Sequence, residues 1–248
     1  MSDSGLREMI QYLISHGQDC ATPEVLEIKG QTYYTKDLTR YEEPEYKARP
    51  LTACTLTALI DYLYGKKEEL RPSMIIHVKS PTKVTLLSAL TDKRERETLF
   101  EVETNPNGFV FDRYYDQESF VINMQTAFVP SDETAMILSV AGNVESKTVA
   151  NYGDDGMSQK ATISKGIAGK ADVIVPNPVT LKPYRTFMEV DQPESAFVFR
   201  IGEYGGEPSF KLVEADGGLW KYLAVSNICS FLKSNIPDEL KDMITVIG

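Results

Sequence analysis

Between Asn143 and Glu214 the chain carries short runs rich in Val, Ile, Thr and Phe, separated by Gly, Pro, Asn and Asp. Runs of that length and composition are strands joined by turns rather than helices. Within the block, Ala196–Ile201 and Ser209–Glu214 flank Tyr204-Gly205-Gly206 and are expected to form a hairpin. Outside the block, runs of helical apolar spacing stand beside further strands. Such a chain is expected to be an α+β protein with mixed or antiparallel sheets.

Leu6, Met9, Ile10 and Leu13 recur at helical spacing, with Asp3 or Ser4 as N-cap and His16-Gly17 as the stop. A hairpin is expected next, Val25–Ile28 and Thr32–Tyr34 around Lys29-Gly30-Gln31, followed by a charged arm over 36–50 interrupted by Pro44 and Pro50. The arm is too polar for a core and too long for a mere connector. It is rich in tyrosine, and Tyr33, Tyr34, Tyr41 and Tyr46 are candidate contacts to another subunit. Thr52 is expected to cap a second helix bearing Leu56, Leu59, Ile60 and Leu63. Strands follow over 73–79, 82–88 and 95–103, then helices over 116–128 and 132–141, the latter capped by Ser131. The Ala135–Leu138 run of the latter fits a buried strand as well as a helix. A last helix after Gly217-Gly218 carries Val225, Ile228, Cys229 and Leu232, and a strand over 243–247 ends the chain. The expected whole is one unit of about four to five helices, with residues 1–50 as helix, hairpin and arm and 51–248 as an α+β body.

The chain of 248 residues has a formal net charge of −10, which works against a broad phosphate-binding surface. No apolar run approaches the length of a membrane span, and MSDSGLREMI lacks the basic and apolar regions of a signal peptide. A cytoplasmic location without membrane association is therefore expected. Cys20, Cys54 and Cys229 are odd in number and widely spaced, so neither a disulfide framework nor a zinc knuckle is expected. The alternating run Asp92–Glu97 reads as a solvated turn.

Few motifs suggest chemistry. Asn151-Tyr152-Gly153-Asp154-Asp155-Gly156 contains the YGDD of viral RNA polymerases, but Val144–Thr148 before it is polar rather than a buried strand. A surface turn is the favoured reading, with a divalent-cation site as the alternative. His16 and His77 are the only histidines, and no nucleophile signature accompanies either. Glu214 and Asp216, beside the glycines that open the last helix, suit capping and dipole roles. Trp220 suits anchoring that helix on a sheet. The basic and aromatic stretch Leu181–Phe187 is the best candidate for an anion or partner contact, with Lys182, Tyr184, Arg185 and Arg200 as contacting residues. Its alternative reading is a sheet edge blunted by proline and charge. No catalytic residue, cofactor or metal ligand is assigned.

Four segments carry a resemblance: RPLTACTLTALIDYL (Arg49–Leu63), GDDGMSQKATISKGIA (Gly153–Ala168), PNPVTLKPYRTFMEVDQPESAFVFR (Pro176–Arg200) and LVEADGGLWK (Leu212–Lys221). From about Arg49 to the end the chain resembles the YfdQ-like family of phage and prophage proteins, a domain of unknown function without assigned catalytic residues. The resemblance implies a phage or prophage origin in a bacterial host and no chemistry. The leading expectation is a non-enzymatic homo-oligomer whose partner is itself, in one version a shell or virus-like particle. The order of elements parallels capsid-type subunits, a fold-level analogy only. One alternative is a binding module for nucleic acid, or for a host or phage protein. Another is a divalent-metal enzyme or small-ligand sponge using Asp154, Asp155, Glu214 or Asp216.

Overall fold

The computed structural model describes residues 3–21, 25–34, 39–40, 47–65, 70–106, 108–144, 158–165 and 169–248. The chain divides into two compact units, Met1–Lys47 and Ala48–Gly248. The first holds helix α1 (Asp3–Ala21) and a sheet of β1 (Val25–Ile28), β2 (Gln31–Tyr34) and β3 (Thr39–Arg40). Helix α1 does not stop at His16-Gly17 as expected. One interior glycine costs a helix only about 1 kcal/mol, too little to end it without a following proline or capping residue. The hairpin forms with Val25 opposite Tyr34 and Ile28 opposite Gln31. Its turn is therefore only Lys29-Gly30, both at positive φ (53° and 72°), the geometry that suits a two-residue hairpin.

The second unit contains β4 (Leu51–Ala53), α2 (Leu56–Gly65), β5 (Met74–Ser80), β6 (Lys83–Leu87) and β7 (Thr98–Glu103). Next come β8 (Tyr115–Asp116), α3 (Gln117–Ala127), α4 (Asp132–Asn143), β9 (Ser158–Lys165), β10 (Gly169–Pro176) and β11 (Val179–Leu181). The chain ends with β12 (Ser195–Tyr204), β13 (Glu207–Glu214), α5 (Leu219–Asn235) and β14 (Ile244–Ile247). With five α-helices and mixed plus antiparallel sheets among the described residues, the protein has an α+β fold.

A five-stranded mixed sheet has the order β14-β5-β6-β7-β4, with β14 and β4 parallel to their neighbours. Alternation along β5 sends Met74, Ile76 and Val78 inward, where Leu56, Leu59 and Leu63 of α2 and Ile228 and Leu232 of α5 join one core. Thr52 lies in β4 opposite Glu101 rather than capping α2. The position belongs to Thr55, whose hydroxyl accepts from the Ala58 N–H at 3.3 Å. A β-branched residue with a strand to pair with is better placed in the sheet than at a helix end.

The second sheet, β11-β12-β13-β8, is antiparallel throughout. Its inner face meets α3 and α4 through an aromatic core in which Phe120 packs on Phe199 and Phe210 at 5.8 and 5.3 Å between ring centroids. Segment Asp132–Asn143 is helical, not a strand, because Ser131 caps it by accepting from the Thr134 N–H at 3.1 Å. The run Asp92–Glu97 turns between β6 and β7, and its end fastens to the body: Arg96 donates to the Ser88 carbonyl at 2.7 Å, and Glu97 accepts from the Ala48 N–H.

Candidate functional site

The basic and aromatic stretch singled out by sequence runs from the end of β11 into the loop before β12. Proline and the backbone fix its first part. Pro183 bridges to Phe128, the Val129 N–H donates to the Lys182 carbonyl at 2.8 Å, and the Tyr184 N–H donates to the Ala127 carbonyl at 2.9 Å. The chain then turns into the body, where Phe187 and Val190 enter the core of the five-stranded sheet.

Gln192 holds that turn. Its buried side-chain carbonyl accepts from the Arg185 and Thr186 N–H groups at 2.9 and 3.2 Å, and its amide donates to the Phe187 and Val190 carbonyls at 3.0 and 3.3 Å. Four backbone groups that the loop removes from water are thereby satisfied by one side chain. The Thr186 hydroxyl donates to the Pro81 carbonyl, in the turn between β5 and β6. One loop therefore ties the second sheet to the first.

Arg185 is placed differently from the sequence expectation. It is a buried residue whose guanidinium donates to Glu214 and to the Ser195 hydroxyl. The guanidinium carbon lies 4.1 Å from the Trp220 ring centroid and 5.5 Å from those of Phe111 and Phe197. It cannot serve as a surface anion contact, because burial among three aromatic rings and pairing with Glu214 occupy it. Burial pulls its pKa below the ordinary guanidinium value, while Glu214 and Asp216 push it back up. Its Nε and the Trp220 Nε1 are buried and have no hydrogen-bond partner among the described residues.

The other contact candidates do not form one patch. Lys182 pairs with Glu194 at 3.1 Å, and Tyr184 is half-buried. Alternation along β12 puts Arg200, opposite Lys211, on the face away from Phe197 and Phe199. Glu214 is an ion-pair partner rather than a capping residue. Asp216 does bind the start of α5, accepting from the Gly218 and Trp220 N–H groups at 3.0 and 3.3 Å. Trp220 covers the Arg185 guanidinium rather than acting as a purely apolar anchor. Gln192 and Ser195 escaped the sequence reading, since polar residues in the run Asp191-Gln192-Pro193-Glu194-Ser195 give no sign of burial.

Of the remaining candidates, Tyr33 donates to the Gln31 side-chain carbonyl at 3.2 Å, and Tyr34 pairs by its backbone in β2. Tyr41, Tyr46, Asp154, Asp155 and the whole GDDG loop lie outside the described residues. His16 stacks on Tyr12, and half-buried His77 lies in β5 opposite Thr85. Among the described residues no group of three His, Cys, Asp or Glu could hold a metal ion, and no helix is long and apolar enough to cross a membrane. No family model, no curated protein and no solved structure matches the chain.

The Asp216 pKa predicts an acid response. Burial opposes its ionisation, but hydrogen bonds from the Gly218 N–H, the Ser195 hydroxyl and the Trp220 N–H, with the Arg185 charge, outweigh it and lower the pKa. A lowered folded-state pKa adds stability that is present above the unfolded value, near 3.8, and is lost as pH falls through the folded value. Urea midpoints measured from neutral pH downward are expected to fall more steeply below that value for the native protein than for Asp216→Asn. Parallel curves would show that Asp216 is not linked to folding.

Proposed function

We propose that the protein is a prophage-encoded homo-oligomer whose role is assembly, with the N-terminal unit of one copy covered by another copy. The observation that carries this reading is the face of α1. Leu6, Met9, Ile10, Tyr12, Leu13 and Ile14 are each between 48% and 65% exposed, and Val25 and Ile28 of the hairpin are exposed as well. At about 100° per residue these helix positions span roughly half the circumference. That is wider than a two-stranded seam and suits a site among several neighbours.

A unit ending at Lys47 is too small to bury a core of its own, and units of this size are usually completed by metals, disulfides or oligomerisation. A second copy suits the face because the flanking charges Arg7 and Glu8 have opposite sign, so identical helices pack without like-charge crowding. A closed shell is the more specific form of the proposal. It is supported by the order of elements and by β4 and β14, edge strands that symmetric copies could extend.

Native mass by light scattering, followed by negative-stain imaging, tests the proposal. The wild-type protein is expected to be a uniform oligomer, and the triple substitution Leu6→Ser, Met9→Ser, Leu13→Ser to shift it to monomer with the α+β body still folded. A monodisperse wild-type monomer at tens of micromolar would sink the assembly reading. A uniform particle with a closed outline would favour the shell.

A further inference from the structure

An open groove of about 290 Å³ runs between α5 and the edge strand β14. Its α5 wall follows from helical spacing. Ile228 and Leu232 are turned into the core, so Tyr222, Val225 and Cys229, at i, i+3 and i+7, fall on the adjoining flank. Val246 and Ile247 of β14 complete the lining, and Tyr222 and Ile247 are 72% and 42% exposed. Val225, Cys229 and Val246 touch the core, yet the sheet edge leaves them partly in water. At this size the groove falls below the roughly 300 to 1,000 Å³ of small-molecule sites and suits the side chains of a docked protein segment.

The apolar row of α1 matches this wall. Leu6, Met9, Ile10 and Leu13 stand at i, i+3, i+4 and i+7, and each is exposed. Rows of that spacing on two helices interlock side by side. Charge selects the same pairing. Lys233 is the only charged side chain lining the groove, it is exposed, and it forms no ion pair among the described residues. Glu8 flanks the α1 row, is exposed and is likewise unpaired among the described residues. With α1 laid antiparallel to α5, Leu13 falls at Tyr222 when Leu6 falls at Cys229. Helical side chains lean toward their own N-terminus, so Glu8 and Lys233 then lean toward each other.

We propose that the groove between α5 and β14 receives the Leu6–Leu13 row of α1 from a neighbouring copy, antiparallel to α5, with that copy's Glu8 beside Lys233. The inference rests on the assembly reading and names the surface that covers α1. Because the two surfaces differ, the contact is head-to-tail, and such contacts form rings when their rotation closes. The α1 face is wide enough to meet a second neighbour as well.

Photocrosslinking tests the contact. With p-benzoylphenylalanine in place of Tyr222, illumination is expected to give a covalent dimer whose linked peptide comes from α1, Asp3–Ala21. Tyr222→Asp with Ile247→Asp, both at exposed positions, should dissociate the oligomer as the α1 triple substitution does, with circular dichroism unchanged. Lys233→Glu should raise the concentration of half-dissociation about tenfold, and adding Glu8→Lys should restore it. Crosslinks to the body of another copy, or only within one copy, would overturn the groove as the site. So would Lys233→Glu without effect, or without rescue by Glu8→Lys. A monomeric wild-type protein would remove assembly and this contact together. An oligomer that the α1 substitution dissociates, but that Tyr222→Asp with Ile247→Asp leaves intact, would keep assembly and overturn the groove.

Discussion

Gln192→Ala is expected to destabilise the protein by roughly 3 kcal/mol or more, since it removes the side-chain partner of two N–H groups and the Val190 carbonyl in a buried loop at about 1 to 3 kcal/mol each, while the Phe187 carbonyl still accepts from the Val190 N–H at 3.4 Å. Against a typical total of about 5 to 15 kcal/mol this is a large loss. The loop also delivers Phe187 to one core while Arg185 lies over Phe197 of the other. The variant should therefore unfold less cooperatively, with a calorimetric enthalpy above the van't Hoff value. Gln192→Glu separates the hydrogen-bond effect from a packing effect. Its ionised carboxylate still accepts from the Arg185 and Thr186 N–H groups but turns lone pairs toward the Phe187 and Val190 carbonyls. That raises its folded pKa, so the variant should regain stability as pH falls toward the carboxyl range, when a proton restores one donor. A pH-independent deficit equal to that of Gln192→Ala would show that the loop is held by packing alone.

Element types were mostly legible because they depend on local spacing. The alternation of β5, the Ser131 cap of α4 and the glycines at 205 and 206, at φ of 65° and 85°, each state their structure within a few residues. The misplacements came from competition the local pattern does not contain. Thr52 reads as a cap until β7 offers it a strand partner, and only then does Thr55 become the cap. The stretch around Arg185 was the least legible. Lys, Arg, Tyr and Phe beside prolines describe a contact surface and a structural join equally well, and the sequence distance from Arg185 to Glu214 hides their pairing. The approach of Tyr114 to Gly202 was invisible for the same reason, since the two residues are far apart in the sequence. The apolar stripe of α1 was readable as a pattern, but its exposure was not, since spacing alone does not say whether a stripe is covered.

Arg185→Met and Glu214→Gln are expected to have unequal effects, although they remove the two halves of one ion pair. The Arg185 side chain is 7% exposed and the Glu214 side chain 40%, so loss of either leaves a different orphan. Methionine at 185 keeps apolar volume between Phe111, Phe197 and Trp220, and the abandoned Glu214 is solvated where it stands. Ser195 retains Asp216 as a hydrogen-bond partner. That variant should lie within about 1.5 kcal/mol of the native protein. Glutamine at 214 instead leaves a buried guanidinium with Asp216 as its nearest counter-charge, and should cost about 2 to 3 kcal/mol, less than for a fully buried pair because Glu214 is already partly in water. The double variant should match Arg185→Met alone, because the charge that needed Glu214 is gone. Urea midpoints at neutral pH measure all three. If Arg185→Met were the more damaging single change, the guanidinium's hydrogen bonds rather than its desolvation would govern the join. A partner-binding role for Arg185 would instead require a variant that keeps its urea midpoint and loses an interaction, and burial by three rings leaves no surface through which such a loss could arise.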